Sequence, residues 1–172
     1  MMLNEQTEVK LAELKLSGML ESYREQMTNK EYQSMSFEDR FNLMVDLEHS
    51  RRKNNKLQRL IKSANFRNAS ASIEDIEYHP DRNLDKNLIL KLASGTYLEE
   101  HHNIILMGAS GNGKTYIANA FGIQACRQYY NVKYIRLPEL LDELTISKNQ
   151  ADGSFRKIIN RYKKVQLLII DE

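Results

Sequence analysis

Tryptophan is absent from the 172 residues, cysteine occurs once and proline twice. A lone Cys126 rules out a disulfide within the chain and fits a reducing compartment, where it reads as a small helix-packing residue. No apolar run approaches the roughly 18 residues that a membrane span requires. The opening Met1-Met-Leu-Asn-Glu-Gln-Thr-Glu8 is acidic and lacks the apolar stretch of a signal peptide. These absences predict a cytoplasmic protein with no membrane partner. Neither sign of charge dominates, since the net charge is +2. Charged residues at 28% and hydrophobic ones at 41% describe a folded chain rather than a disordered one. The length suits one full domain, or a small helical domain with part of a second. There are no internal repeats or low-complexity tracts.

The near-neutral total conceals an uneven distribution. Residues 1–50 hold five Lys/Arg and ten Asp/Glu, a balance of −5. Residues 51–67 hold seven Lys/Arg and no acid, giving +7, and residues 68–172 balance at thirteen each. The organisation this predicts is a helical N-terminal region over 1–67, a linker and helix over 68–102, and an α/β body over 103–172.

That body carries the most specific signal. Gly108-Ala-Ser-Gly-Asn-Gly-Lys-Thr115 matches G-x-x-x-x-G-K-[ST]. It follows the apolar run Asn103–Met107, which has buried-strand character, and precedes a helical pattern from Tyr116 to Tyr130. Strand, glycine loop and helix are the context of a P-loop. Gly108, Gly111 and Gly113 let the backbone approach an anion closely. Their N–H groups, and those of Ala109, Ser110 and Asn112, border a phosphate nest at the positive end of the helix. Lys114 is placed to reach the β- and γ-phosphates, and the Thr115 hydroxyl to ligate Mg²⁺. The cofactors predicted are ATP and Mg²⁺.

A second half-site lies 57 positions beyond Lys114 (171 − 114), where Val165–Ile170 is a β-branched, leucine-rich run ending in Asp171-Glu172. An acid at the end of a buried strand serves the Mg²⁺ of P-loop NTPases. A following acid is placed to orient and polarise water. Lys114 and Glu172 are thus the candidate catalytic pair, and Thr115 with Asp171 the candidate metal set. The adjacent acids argue for an ATPase rather than a small-molecule kinase. Three strands are predicted, Asn103–Met107, Val132–Leu137 and Val165–Ile170, in a parallel sheet. In P-loop ATPases with this acid pair a later strand inserts between the first and third. None follows here, so the expectation is a P-loop domain cut short, able to hold nucleotide but poor at turnover.

Upstream, Glu5 to about Lys30 reads as an amphipathic helix with a break possible at Gly18. Ser36-Phe-Glu-Asp39 resembles a capping box that opens a second helix. Between Leu47 and Leu57 apolar residues cease, which marks either a solvent-spanning helix or a hinge. Arg52, Lys56 and Arg59 fall within about 60° of one another on a helical wheel. With Arg51, Lys53 and Lys62 they form a candidate stripe for the phosphates of duplex DNA, binding with little base preference. A solvated helix face is the competing reading.

Ile73–Tyr78 looks extended, Pro80 breaks it, and Leu84–Ser94 reads as a helix closed by Gly95. Tyr78 either stacks near a nucleotide base or packs within the linker. His101 and His102 read as loop residues rather than zinc ligands. Pro138 opens a helix after the second strand. Ser154–Lys164 is a basic amphipathic helix whose Arg156, Lys157, Arg161, Lys163 and Lys164 form a possible second phosphate-facing surface.

From about Tyr23 to Glu172 the chain resembles the IstB-type transposition helper ATPases, relatives of the DnaC-type helicase loaders within the AAA+ class. The resemblance is carried by Arg51-Arg-Lys53, Arg59-Leu-Ile-Lys62, Asn103–Thr115, Tyr134-Ile-Arg-Leu-Pro-Glu-Leu-Leu141, Ala151-Asp-Gly-Ser154 and Leu167-Leu-Ile-Ile-Asp-Glu172. It implies an ATP-dependent DNA-binding protein that assists a transposase and self-associates on DNA. Lys114, Thr115, Asp171 and Glu172 carry over to the phosphate, metal and water roles. Family members continue past the acid pair with a polar sensor, further strands and an arginine, all beyond the residues present here. A non-catalytic DNA- or partner-binding remnant and a helicase loader are the competing functions.

Overall fold

A computed structural model of the chain describes residues 2–79, 83–150 and 153–172, with the side chains of residues 2 and 3 left undescribed. Pro80, and the Ala151-Asp152 start of one resemblance segment, lie outside the described residues. Backbone contacts divide the chain into two compact units, Met1–Lys56 and Leu57–Glu172.

The first unit is helical. In place of one helix from Glu5 to Lys30 there are two, α1 (Met2–Glu13) and α2 (Ser17–Thr28). The break precedes Gly18. Lys15 takes a left-handed φ of 57°, and the Lys15 and Leu16 N–H groups fold back onto the carbonyls of Ala12 and Leu11. These bonds satisfy carbonyls orphaned at the end of α1, as αL helix terminations do. A 3₁₀ turn (Lys30–Ser34) leads to α3 (Phe37–Ala64). Ser36 caps α3 as its sequence predicts: Oγ accepts the Asp39 N–H at 3.1 Å and donates to Asp39 Oδ2 at 2.8 Å. The polar stretch 48–56 stays helical throughout.

The second unit is an α/β body. After the end of α3 come an irregular segment, α4 (Lys86–Ala93), α5 (Thr96–Glu99), the glycine loop and α6 (Lys114–Arg127). Then follow β1 (Val132–Arg136), α7 (Leu137–Lys148), α8 (Ser154–Lys163) and β2 (Leu167–Asp171). Asp85 starts α4 by accepting the Asn87 and Leu88 N–H groups, and Gly95 ends it with φ 90°. Ile73–Tyr78 forms no strand; instead Ile73 and Ile76 enter the core beside Ile89, Ile117 and Phe121.

β1 and β2 are parallel, with Val132 opposite Leu167 and Arg136 opposite Asp171. Among the described residues they are the whole sheet. Asn103–Met107, expected as a buried strand, is neither a strand nor buried: Ile105 is 80% and Met107 88% exposed. A segment with no described strand beside it has no ladder to join, so its apolar composition alone does not make it a strand. α6 packs closely on β2, because a Cβ on Gly122 would overlap Phe66 Cε1 and lie 2.7 Å from Ile169 Cδ1.

Candidate functional site

The glycine loop leads straight into α6. Gly111 and Gly113 hold φ values of 83° and 79°, a region that strains any residue with a Cβ. Gly113 precedes α6 and supplies no side-chain cap. The N–H groups of the first turn of α6, which have no intrahelical partner in any helix, thus receive no cap from Gly113 and are left for an anion at the positive end of the helix. Lys114 stands in that turn. Its Nζ donates to the carbonyls of Gly108 at 2.8 Å and Ala109 at 3.0 Å, so the lysine lies folded over its own loop.

Thr115 joins the loop to the acid pair. Its Oγ1 donates to Asp171 Oδ2 at 2.8 Å, across 56 positions of sequence. A hydroxyl and a carboxylate meeting at the start of a helix form a hard-oxygen pair of the sort Mg²⁺ prefers, so the residues present fit that ion. Glu172 is exposed directly after β2. Lys114, Asp171 and Glu172 all line one cleft of about 380 Å³, whose other wall includes Ile104 and Leu106. The structure thus brings together all four residues to which phosphate, metal and water roles were assigned.

Two further residues at this site received no role from motif reading. Tyr134, on β1, donates its hydroxyl to the same Asp171 Oδ2 at 2.7 Å. Asn119, fully buried one turn after Thr115, donates to the Thr115 carbonyl at 2.6 Å, while its Oδ1 has no partner among the described residues. The period-2 rule hints at Tyr134 only once the register of β1 against β2 is known. Cys126 is buried in α6, and burial pushes its thiol up to about 11, so it packs rather than reacts. Tyr78 packs against the core cluster with Lys86 Nζ 5.6 Å from its ring centroid, which is the linker-packing alternative.

The basic residues on α3 differ in how they are held. Within the first unit, Arg51 pairs with Glu21. Arg52 Nε donates to Glu48 at 2.5 Å, and its Nη2 reaches the Lys15 carbonyl at 3.4 Å. Lys53 and Lys56 are exposed in the same unit, as are Arg59 and Lys62 in the second. On α8, Arg161 is bound to Glu143 and lies 4.9 Å from the Tyr162 ring centroid.

With this geometry in view, the model of the family described as IstB-like ATP binding protein matches residues 9–172. The chain belongs to that family. It is 41% identical over 171 residues to a protein of Pseudomonas fluorescens named as the ATP-binding protein of insertion sequence IS1162, covering 99% of this chain and 73% of that one. To the insertion-sequence ATP-binding protein y4pL of Sinorhizobium fredii it is 33% identical, covering 95% of this chain and 65% of the relative. A second protein of that organism, y4uH, is 30% identical, with 94% and 64% covered. The chain therefore spans about two thirds to three quarters of the length of these relatives. No helix among the described residues is long and apolar enough to cross a membrane.

Proposed function

We propose that this chain binds ATP with Mg²⁺ in the glycine-loop cleft and acts as the DNA-binding helper of a transposase, working in the cytoplasm. The observation that carries the reading is the Thr115–Asp171 hydrogen bond of 2.8 Å, a direct contact between the glycine-loop segment and the acid pair at the start of α6, which supports a shared role for the two motifs. The loop amides and Lys114 would hold the phosphates, Thr115 and Asp171 the cation, and Glu172 a water. Bound Mg²⁺ would supply charge neutralisation for the phosphates. The insertion-sequence names of the relatives support the transposition setting. Duplex DNA is bound through Lys53, Lys56, Arg59 and Lys62 of α3, and the transposase and further copies of the chain are the protein partners.

Turnover by this chain is slow. Asn103–Met107, which leads into the loop, joins no strand among the described residues and exposes Ile105 and Met107, and Lys114 rests on loop carbonyls, so the cradle is not preorganised for a transition state. This favours a nucleotide-gated binder over a rapid ATPase.

Calorimetry tests the reading. ATP–Mg²⁺ is expected to bind the full chain, and Lys114→Ala to weaken it by about 10-fold or more, the loss of one charge-assisted contact. Equal affinity of the variant would refute the assignment. In the same preparation, Arg59→Ala with Lys62→Ala should lower the slope of log affinity for duplex DNA against log salt by about 2, one per lost phosphate contact.

A further inference from the structure

We propose that Tyr134 is a positioning residue of the cation site: its hydroxyl, together with that of Thr115, anchors one carboxylate oxygen of Asp171 and leaves the other for the metal. The inference rests on the ATP–Mg²⁺ reading above and deepens it.

Strand register builds the arrangement. Tyr134 lies opposite Ile169 in the parallel pair, and Asp171 is two residues further along β2. Side chains two apart share a face, so Tyr134, Ile169 and Asp171 line the same side of the sheet. That side faces α6, since Ile169 packs where a Cβ on Gly122 would sit. Thr115 stands in the first turn of the same helix. One Asp171 oxygen, Oδ2, therefore receives two hydroxyl protons, from Thr115 at 2.8 Å and from Tyr134 at 2.7 Å. Oδ1 receives none from the described residues.

A carboxylate has about four acceptor sites, so two donors on one oxygen leave capacity on the other. They also fix the side-chain torsions of Asp171, which would otherwise be free to turn at the end of an edge strand. Tyr134 is itself held, being 4% exposed on β1, and a phenol hydroxyl is protonated in neutral water. The hydroxyl keeps its proton at neutral pH and is the donor. Partners in this outer position typically tune metal affinity by about 10- to 100-fold. A tyrosine that merely satisfied its own buried hydroxyl would have no such linkage to the cation.

The test titrates Mg²⁺ into the full chain at fixed ATP and reads nucleotide affinity by calorimetry. Four proteins are compared: wild type, Tyr134→Phe, Asp171→Asn and the double variant. Tyr134→Phe is expected to raise the Mg²⁺ half-saturation by about 10-fold or more. ATP affinity in EDTA should stay within about twofold, and in the Asp171→Asn background the Phe substitution should move nothing, which cancels any general loss of packing. An unmoved Mg²⁺ half-saturation in Tyr134→Phe, or the same shift with Asp171 already replaced, overturns the inference. If wild type binds no nucleotide at all, the ATP reading falls and takes this inference with it. Nucleotide binding with an unmoved Mg²⁺ midpoint sinks this inference alone.

Discussion

The two units of this chain are stabilised by different physics. Every buried hydrophobic residue among those described belongs to Leu57–Glu172, from Ala64 to Ile135. In Met1–Lys56 the described buried side chains are polar: Ser22, Gln26 and Glu48. Large apolar residues such as Val9, Phe37 and Phe41 lie at the surface there. Among its described residues no apolar side chain is buried, and a carboxylate, Glu48, is. Glu48 Oε2 accepts the Gly18 N–H at 2.7 Å and the Met19 N–H at 3.4 Å, while Oε1 takes Arg52. It does for α2 what an N-cap residue would do, since Leu16 at the cap position has no side-chain oxygen to offer. The lesson is that the nucleotide half is held by area removed from water, and the N-terminal half by a few directional bonds. Those bonds use Arg52, one of the residues that a purely sequential view assigns to DNA.

This contrast is broken or sharpened by four substitutions, best read by hydrogen exchange over each unit separately. The largest effect is expected for Phe121→Ala, 4% exposed in α6: about 3–5 kcal/mol lost from the second unit alone, as for other buried aromatics. Equal loss of protection in residues 1–56 would show that the units do not open independently. Gly122→Ala comes next, at about 1–3 kcal/mol, because the added methyl must displace Phe66 and Ile169.

Glu48→Gln should cost about 1–2 kcal/mol, confined to the first unit, as the loss of a capping carboxylate does. Here pH provides an independent check. Burial alone would raise the Glu48 pKa, but hydrogen bonds from Arg52, Gly18 and Met19 outweigh it and hold the carboxyl below its ordinary 4.5. A folded pKa below the unfolded one gives stability that is complete above about 4.5 and drains away as pH falls through the folded value. Protection of residues 1–56 should therefore decline on acidification below that point in wild type and not in the variant. The smallest effect is expected for Phe41→Ser, 45% exposed and stacked on Phe37: within about 0.5 kcal/mol by chemical denaturation. A large loss would reveal apolar stabilisation in the first unit that the surface exposure of these rings denies.

Local chemistry was legible wherever one short segment contained its whole cause. Ser36 and Asp39 form their cap within a single turn, Gly95 ends α4 with its left-handed backbone, and Pro138 sits in the first turn of α7. The loop Gly108–Thr115 names its ligand class for the same reason, since successive backbone groups of one turn make the cradle. Reading failed where the cause lay elsewhere in the chain. Asn103–Met107 has strand composition, but pairing needs a neighbour. The break between α1 and α2 falls at Lys15, where the backbone turns left-handed, and not at the glycine three residues on.

By itself the order of residues settled that this is an α/β P-loop chain of the IstB-like family, because main-chain phosphate cradles and helix caps are written in contiguous stretches. Only tertiary structure decided that Glu48 would cap a helix begun thirty residues earlier and that Tyr134 would share Asp171 with Thr115. Those pairings depend on helix packing and on strand register. A shift of one residue between β1 and β2 would have turned Tyr134 to the opposite face.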